Sequence, residues 1–180
     1  MHTEITKKRS VFFVSTFVRC VVKMEFKNMN NEEIKKFVLD RVAEAECVEG
    51  TQFLQVTVPS EKLLSLAPDL KSNETTSFDF LFCLTGVDWP AHMEVVYHLK
   101  STAHNHQLVL KGKINTRDNP EIETVCHIWR TAELHEREAF ELYGIKFLNH
   151  PDLRLLLLPD DWEGYPMRKD YDDPINMIEY

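Results

Sequence analysis

This sequence lacks the motifs that usually hold a cofactor or build an active site. Its four cysteines form no CxxC pair, so neither a structural zinc site nor an iron–sulfur cluster is supported. Only five glycines occur, and none of them belongs to a GxGxxG or P-loop motif. No GxSxG or other nucleophile signature is present. The sequence therefore offers no support for a cofactor or a catalytic residue in this chain.

Positive charge is also scarce. The formal net charge is −8, which argues against a nucleic-acid partner, because phosphate neutralisation needs clustered lysine and arginine. The charge is unevenly distributed: 1–23 carries five basic side chains against one acidic, and 151–180 carries eight acidic against three basic. The two ends of the chain therefore differ in electrostatic character.

Long apolar runs are missing as well. The stretch 11–18 is apolar and follows a basic cluster, but an arginine interrupts it, and it is too short to span a bilayer as a helix. We interpret 1–23 as a disordered leader or a non-native start, with Met24 as the alternative first residue. We then expect an α+β domain over 24–150 and an extended docking arm over 151–180.

Hydrophobic periodicity predicts two helices and four strands in the first part of this domain. Asn30 or Asn31 can cap the first helix, and Ser60 can cap a shorter one that stops near Pro68. The predicted elements are helix 31–45, strand 53–58, helix 61–66 and strands 78–87, 93–100 and 106–114. The short connections between the last three strands favour an antiparallel meander.

The longest predicted helix begins at Asn119 and Pro120 and ends at Gly144. Asparagine can cap a helix, proline fits its first turn, and glycine is a common C-terminal stop. Apolar residues along it keep a spacing typical of one helical face, namely Ile122, Val125, Trp129, Ala132, Phe140 and Tyr143. The order of elements predicts an α+β fold, with a small mixed or antiparallel sheet packed by helices.

The residues after 150 combine frequent proline with large apolar side chains. Prolines at 151, 159, 166 and 174 exclude a helix of ordinary length. Four consecutive leucines over 155–158 and several aromatic residues make the stretch too apolar for a free disordered tail. We therefore predict an extended arm that lies on a protein surface.

The eight histidines do not match a metal-binding motif. His127 and His135 lie eight residues apart, about two helical turns, whereas a helical metal pair such as HExxH needs one. The carboxylates of Asp160, Asp161 and Glu163 can bind a hard cation in principle. We interpret the histidines as ordinary solvated or hydrogen-bonded side chains and the carboxylates as solvated or partner-facing charge.

Two charged residues near the end of the long helix stand out. Glu136 falls on the apolar stripe between Ala132 and Phe140, where a carboxylate needs a partner or a shifted protonation state. Arg137 has one glutamate a turn before it and another a turn after it, which predicts a surface ion-pair hub. For Glu136, a role in registry or docking fits better than a surface salt bridge.

The end of this helix and the arm together carry a recognisable signature. Its first part consists of Glu136, Arg137, Glu138, Glu141, Leu142, Tyr143, His150, Arg154, Leu156 and Leu157. Its second part, 158–171, reads LPDDWEGYPMRKDY. In residue types, spacing and order, both parts resemble the 30-kDa (C-type) subunit family of respiratory NADH–quinone oxidoreductase, or respiratory complex I.

The resemblance implies a non-catalytic subunit in the peripheral arm of a complex that passes electrons from NADH to quinone, coupled to ion translocation. FMN, iron–sulfur clusters, NADH and quinone would bind to other subunits. Partners would be the 49-kDa (D-type) protein and cluster-bearing subunits. Attachment to the cytoplasmic side of the inner membrane would come only through the assembled complex. The predicted partner-docking residues are Glu136, Arg137, Glu138, Glu141, His150, Arg154, Trp162, Glu163, Tyr165, Arg168, Lys169, Asp170 and Tyr171.

Three alternative functions remain open at this point. Composition does not separate this family from the equivalent subunit of a membrane-bound hydrogenase or formate hydrogenlyase. The chain can also be read as an independent metal-dependent hydrolase that uses its histidines and the carboxylates of the arm, or as a free-standing adaptor.

Overall fold

The computed structural model describes residues 29–173, which are built around one five-stranded sheet. Its strands are β1 (Glu46–Glu49), β2 (Leu54–Pro59), β3 (Phe80–Asp88), β4 (Met93–Lys100) and β5 (Gln107–Ile114). Their order across the sheet is β1-β2-β5-β4-β3. The predicted leader and the last seven residues of the predicted arm lie outside the described residues.

The pairing of the strands confirms the antiparallel meander and adds one parallel contact. β3 pairs with β4, and β4 with β5, in antiparallel register. β2 runs parallel to β5, with Leu54 opposite Leu108, and β1 pairs antiparallel with β2. The sheet is therefore mixed, as the fold prediction allowed, and its short edge strand β1 was not predicted.

Two helical segments precede the meander. α1 (Asn31–Leu39) is capped by the Asn30 side chain, which accepts a hydrogen bond from the backbone N–H of Glu33. A 3-10 turn (Ser60–Lys62) leads into α2 (Leu63–Ser72). The prediction that this helix stops near Pro68 was wrong, because its buried leucines anchor it to the core and offset the cost of an exposed proline inside it.

The last part of the domain differs most from its prediction. β6 (Glu121–Glu123) pairs in parallel with β7 (Lys146–Leu148), and α3 (Ala132–Tyr143) connects them. The prediction of a helix that starts at Asn119 was therefore wrong, because this stretch begins with a strand and turns. The helix ends as predicted at Gly144, which has a left-handed φ of 73°.

All three helices within the described residues contribute to a single hydrophobic core together with the sheet. The largest side chains in it are Trp129 and Tyr97, both at most 2% exposed. The Trp129 ring is fixed by its Nε1, which donates to the carbonyl of Phe78 over 2.8 Å. After residue 150, the described chain forms neither helix nor strand and runs over the surface of this α+β domain as an arm.

Candidate docking site

Three charged side chains of α3 point into the protein instead of into solvent. Glu136 is fully buried, Glu141 is 1% exposed and Arg137 is 9% exposed. Charged residues are rarely buried unless they are paired or hydrogen-bonded. The partners of these three therefore show what the helix holds in place.

Glu136 joins α3 to the turn that precedes it. Its carboxylate accepts hydrogen bonds from the backbone N–H of Val125, over 2.8 Å, and from the hydroxyl of Thr124. Burial raises the pKa of this carboxyl to about 7, although both hydrogen bonds favour the charged form. The sequence pattern correctly placed Glu136 in the core, and its partners lie within the same chain.

His150 lies next to Glu136 and links α3 to the start of the arm. Its Nε2 donates to the carbonyl of Glu133 over 3.0 Å and lies 3.9 Å from a carboxylate oxygen of Glu136. Its Nδ1 accepts from the backbone N–H of Asp152 over 3.0 Å. The ring is therefore held from both sides.

Arg137 binds the arm through backbone carbonyls. Its Nε donates to the carbonyl of Arg154 over 3.1 Å, and its Nη2 donates to that of Leu155 over 2.7 Å. The interpretation of Arg137 as a surface ion-pair hub is therefore wrong. The guanidinium is buried because the arm crosses the helix at this point and offers it two acceptors.

Glu141, one turn further along, binds the next residues of the arm through their amides. Its carboxylate accepts from the backbone N–H groups of Leu156 at 2.6 Å, Leu157 at 2.9 Å and Leu158 at 3.3 Å. Hydrogen bonds to an ionised acceptor are roughly twice as strong as neutral ones. Arg137 and Glu141 together fix five consecutive residues, 154–158, which we call the clamped turn.

A second cluster attaches the far end of the arm to the sheet. Asp88, at the end of β3, receives two hydrogen bonds from Arg117, at 2.7 and 2.8 Å, and one from the backbone N–H of Lys169, at 2.9 Å. The Arg117 guanidinium lowers the pKa of this carboxyl to about 2. Arg168 donates to the carbonyls of Tyr143 and Arg117, at 2.7 and 3.1 Å.

The middle of the arm packs against the end of α3. A Cβ atom at Gly144 would lie 2.6 Å from Cε2 of Tyr165, so this close approach requires glycine. The Arg168 guanidinium lies 4.9 Å from the centre of the Tyr165 ring. The arm is therefore attached to the domain over 150–158 and again over 165–170.

The structure separates the predicted docking residues into three groups. Glu136, Arg137 and Glu141 are buried within the chain, and five others are half-buried. The exposed members are Arg154, Glu163, Tyr165, Lys169 and Asp170. The exposed residues are accessible to a partner, whereas the buried ones contact only other parts of this chain.

Sequence reasoning missed two residues of this site. Asp88 and Arg117 lie far from the signature in sequence, Asp88 among mostly apolar residues and Arg117 in a polar stretch. The prolines and large apolar side chains of the arm indicated only that it lies on a protein surface. Nothing in the local sequence marked Asp88 as the residue that does so.

The raised pKa of Glu136 predicts a pH-dependent stability. The folded protein binds a proton that the unfolded chain releases near pH 4.5, so the contribution of Glu136 is fully present below that pH and is lost as pH rises to about 7. The free energy of unfolding, measured by urea denaturation, should fall over this range by up to about 3 kcal/mol. In Glu136→Gln this slope should be absent, whereas in Glu138→Gln it should persist. An unchanged slope in Glu136→Gln would contradict the assignment.

Neither a metal cluster nor a membrane-spanning helix occurs in the described part of the chain. Between 29 and 173, no group of three or more His, Cys, Asp or Glu side chains is arranged to hold a metal ion. The longest helix there, α3, has twelve residues, and no helix in that range has the length and apolarity to cross a lipid bilayer.

Comparison with known families identifies the class of this protein. Residues 56–175 match the family described as respiratory-chain NADH dehydrogenase, 30 Kd subunit. Because this match covers more than half of the chain and includes both the clamped turn and the Asp88 cluster, the protein belongs to that family.

Individual relatives agree with this assignment. The chain is 46% identical over 104 residues to the C-type subunit of NADH-quinone oxidoreductase from Chloroherpeton thalassium, covering 57% of this chain and 43% of the relative. It is 44% identical over 125 residues to the C/D-type subunit from Phocaeicola vulgatus, covering 69% of this chain and 24% of the relative. It is 41% identical over 128 residues to the C-type subunit from Moorella thermoacetica, covering 70% and 84%. The chain thus spans less than half of the first two relatives.

One solved structure extends the comparison to a different complex. A chain of the membrane-bound sulfane sulfur reductase, an archaeal respiratory membrane complex, superposes with a TM-score of 0.68 at 30% sequence identity. The match covers 80% of this chain and 86% of that chain. The fold therefore also occurs in a respiratory membrane complex that is named as a sulfur reductase.

Proposed function

We propose that this protein is a non-catalytic subunit of the peripheral arm of NADH–quinone oxidoreductase. It supports assembly of the part that passes electrons from NADH to quinone, coupled to ion translocation, while FMN and iron–sulfur clusters are held by other subunits. The observation that carries the proposal is the use of α3: its buried Arg137 and Glu141 bind backbone atoms of the arm. These two charged side chains stabilise the conformation of the arm, which suits a scaffold.

The proposed direct partner is the 49-kDa (D-type) subunit, with cluster-bearing subunits nearby. Support comes from the relative in Phocaeicola vulgatus, whose name combines the C and D types in one protein. A chain of that kind keeps the two parts close together. The exposed signature residues, such as Arg154, Glu163 and Lys169, would contact the partner, while buried residues of α3 would act by positioning the arm.

The proposed location follows from the same assembly. The subunit would lie on the cytoplasmic side of the inner membrane and be attached only through the complex, without contact to nucleic acid. The net charge of −8 supports this, because it disfavours direct adhesion to anionic lipid or phosphate backbones.

One experiment tests this proposal at the level of the whole assembly. The tagged full-length chain is purified from gently solubilised membranes, its bound chains are identified, and the assembly is assayed for quinone reduction with NADH. We expect a D-type subunit and cluster-bearing subunits among the bound chains, together with NADH-dependent activity. A chain that purifies alone would contradict the proposal and favour the free-standing adaptor.

A second candidate function has a specific observation in its favour. The 30% identical chain of the sulfane sulfur reductase complex has the same fold over most of its length. An equivalent role in a related membrane complex, such as a hydrogenase or formate hydrogenlyase, would explain the same arm and clamped turn. In the purification above, hydrogen evolution without NADH-dependent quinone reduction would favour this candidate.

A further inference from the structure

The clamped turn is the part of the arm whose backbone is held most completely. The amides of Leu156, Leu157 and Leu158 all bind the carboxylate of Glu141, and the carbonyls just before them bind Arg137. Few internal degrees of freedom remain in such a segment. The buried side chains of Arg137 and Glu141 thus hold this turn in one conformation.

The leucines of this turn and the one just before it divide into two sets. Leu153 packs against the core, and Leu155 and Leu158 are half-buried. Leu157 is 67% exposed and Leu156 is 38% exposed. A single exposed leucine is ordinary on a protein surface. Here, however, the exposed pair stands on a backbone that the protein holds with buried charges, so its position is specified.

Acidic side chains flank this exposed pair of leucines on both sides in the sequence. Asp152, Asp160, Asp161 and Glu163 are all exposed, against one exposed basic residue, Arg154. A surface that fits this turn needs an apolar pocket for the leucines and basic groups at its edge, because charges across an interface are arranged to be complementary.

We propose that Leu156 and Leu157 form a preformed apolar anchor that inserts into a pocket rimmed by lysine or arginine on the D-type subunit. Arg137 and Glu141 are then positioning residues, and the ordered backbone reduces the entropy lost on binding. This inference rests on the proposed function and adds to it the residues that enter the partner. It shifts the main contact from the charged residues of the signature to two of its leucines.

The test compares three variants of the full-length chain in the membrane purification. Leu157→Ser removes the apolar side chain, and we expect about tenfold less bound D-type subunit at equal expression. Leu157→Met keeps an apolar side chain of similar volume and should retain binding. Val48→Ser is the matched control, since Val48 is 60% exposed but lies on the edge strand β1, and it should bind normally.

The outcomes separate this inference from the proposed function. Normal binding by Leu157→Ser would overturn the anchor while leaving the proposed function intact. Loss of binding in Val48→Ser as well would overturn it too, because the effect would then not be specific to the turn. Absence of any D-type subunit from the wild-type purification would overturn both. Unchanged urea midpoints for Leu157→Ser establish that folding is unaffected.

The acidic rim has its own readout. A double variant, Asp160→Asn with Asp161→Asn, should bind less D-type subunit at low salt, and the difference from wild type should shrink at high salt because exposed charges are screened. Equal binding by the double variant and wild type at both salt concentrations would overturn the basic rim of the pocket.

Discussion

Replacing Glu141 with alanine should release residues 156–158 of the clamped turn from α3 while the sheet remains folded. One carboxylate accepts hydrogen bonds from three successive amides, and each bond to a charged group contributes about 1.5–3 kcal/mol. Because the freed amides gain water as partners, we expect a local loss of about 3 kcal/mol. Hydrogen exchange at residues 156–158 should then accelerate about 100-fold.

Two other substitutions complete this experiment. Glu141→Gln keeps one acceptor oxygen without the charge and should give an intermediate acceleration. Glu138→Ala changes a half-buried glutamate on the same helix and should leave exchange at 156–158 unchanged. If Glu141→Ala also left these amides protected, the carboxylate would not be what holds the turn.

The substitution Asp88→Asn should weaken the second attachment and the domain itself. Asp88 is 4% exposed and is paired through two hydrogen bonds with Arg117. Removing one partner of a buried pair costs about 3 kcal/mol. The same change removes the negative charge from the group that accepts a hydrogen bond from the backbone N–H of Lys169. Urea denaturation at pH 7 measures the loss.

Low pH offers an independent check of the same residue. The pKa of Asp88 is about 2 in the folded protein, below the value of about 3.9 for an unfolded chain. Its contribution is therefore fully present above about pH 4 and is lost as pH falls toward 2. Asp88→Asn should lack this part of the acid-induced loss. Asp170→Asn, at an exposed partner of Arg117, should cost less than about 1 kcal/mol, and an equal cost for both variants would contradict the assignment.

The sequence was most informative where structure follows from local periodicity. Alternating residues over 93–100 predicted β4 with its bounds, and of the two asparagines predicted as caps Asn30 marks the start of α1, although this helix ends at Leu39 and not at 45. It was misleading where the same spacing arises in another way. Ile122, Val125 and Trp129 repeat as on a helical face, but a short strand and turns bring them to the core instead.

The candidate site was only partly predictable, for a related reason. An acidic residue on an apolar stripe was enough to place Glu136 inside the protein. The partners of Arg137 are backbone carbonyls that lie 17 and 18 residues away, and no side-chain pattern records them. The contact between Asp88 and the amide of Lys169 spans 81 residues. Contacts of this kind depend on the path of the arm, which the tertiary structure determines.

The parallel pairing of β2 with β5 has a consequence for how the protein is made. Leu54 finds its neighbour Leu108 only after the whole meander has been synthesised, because β5 is the last strand of the five. Until then one edge of β2 is unpaired. Bringing β2 next to β5 closes a long loop, and this costs conformational entropy before the contacts between the two strands form. During synthesis the β1–β2 hairpin should therefore remain unpaired with the rest of the sheet until β5 has emerged. The β3–β5 meander should form the folding nucleus to which the hairpin attaches.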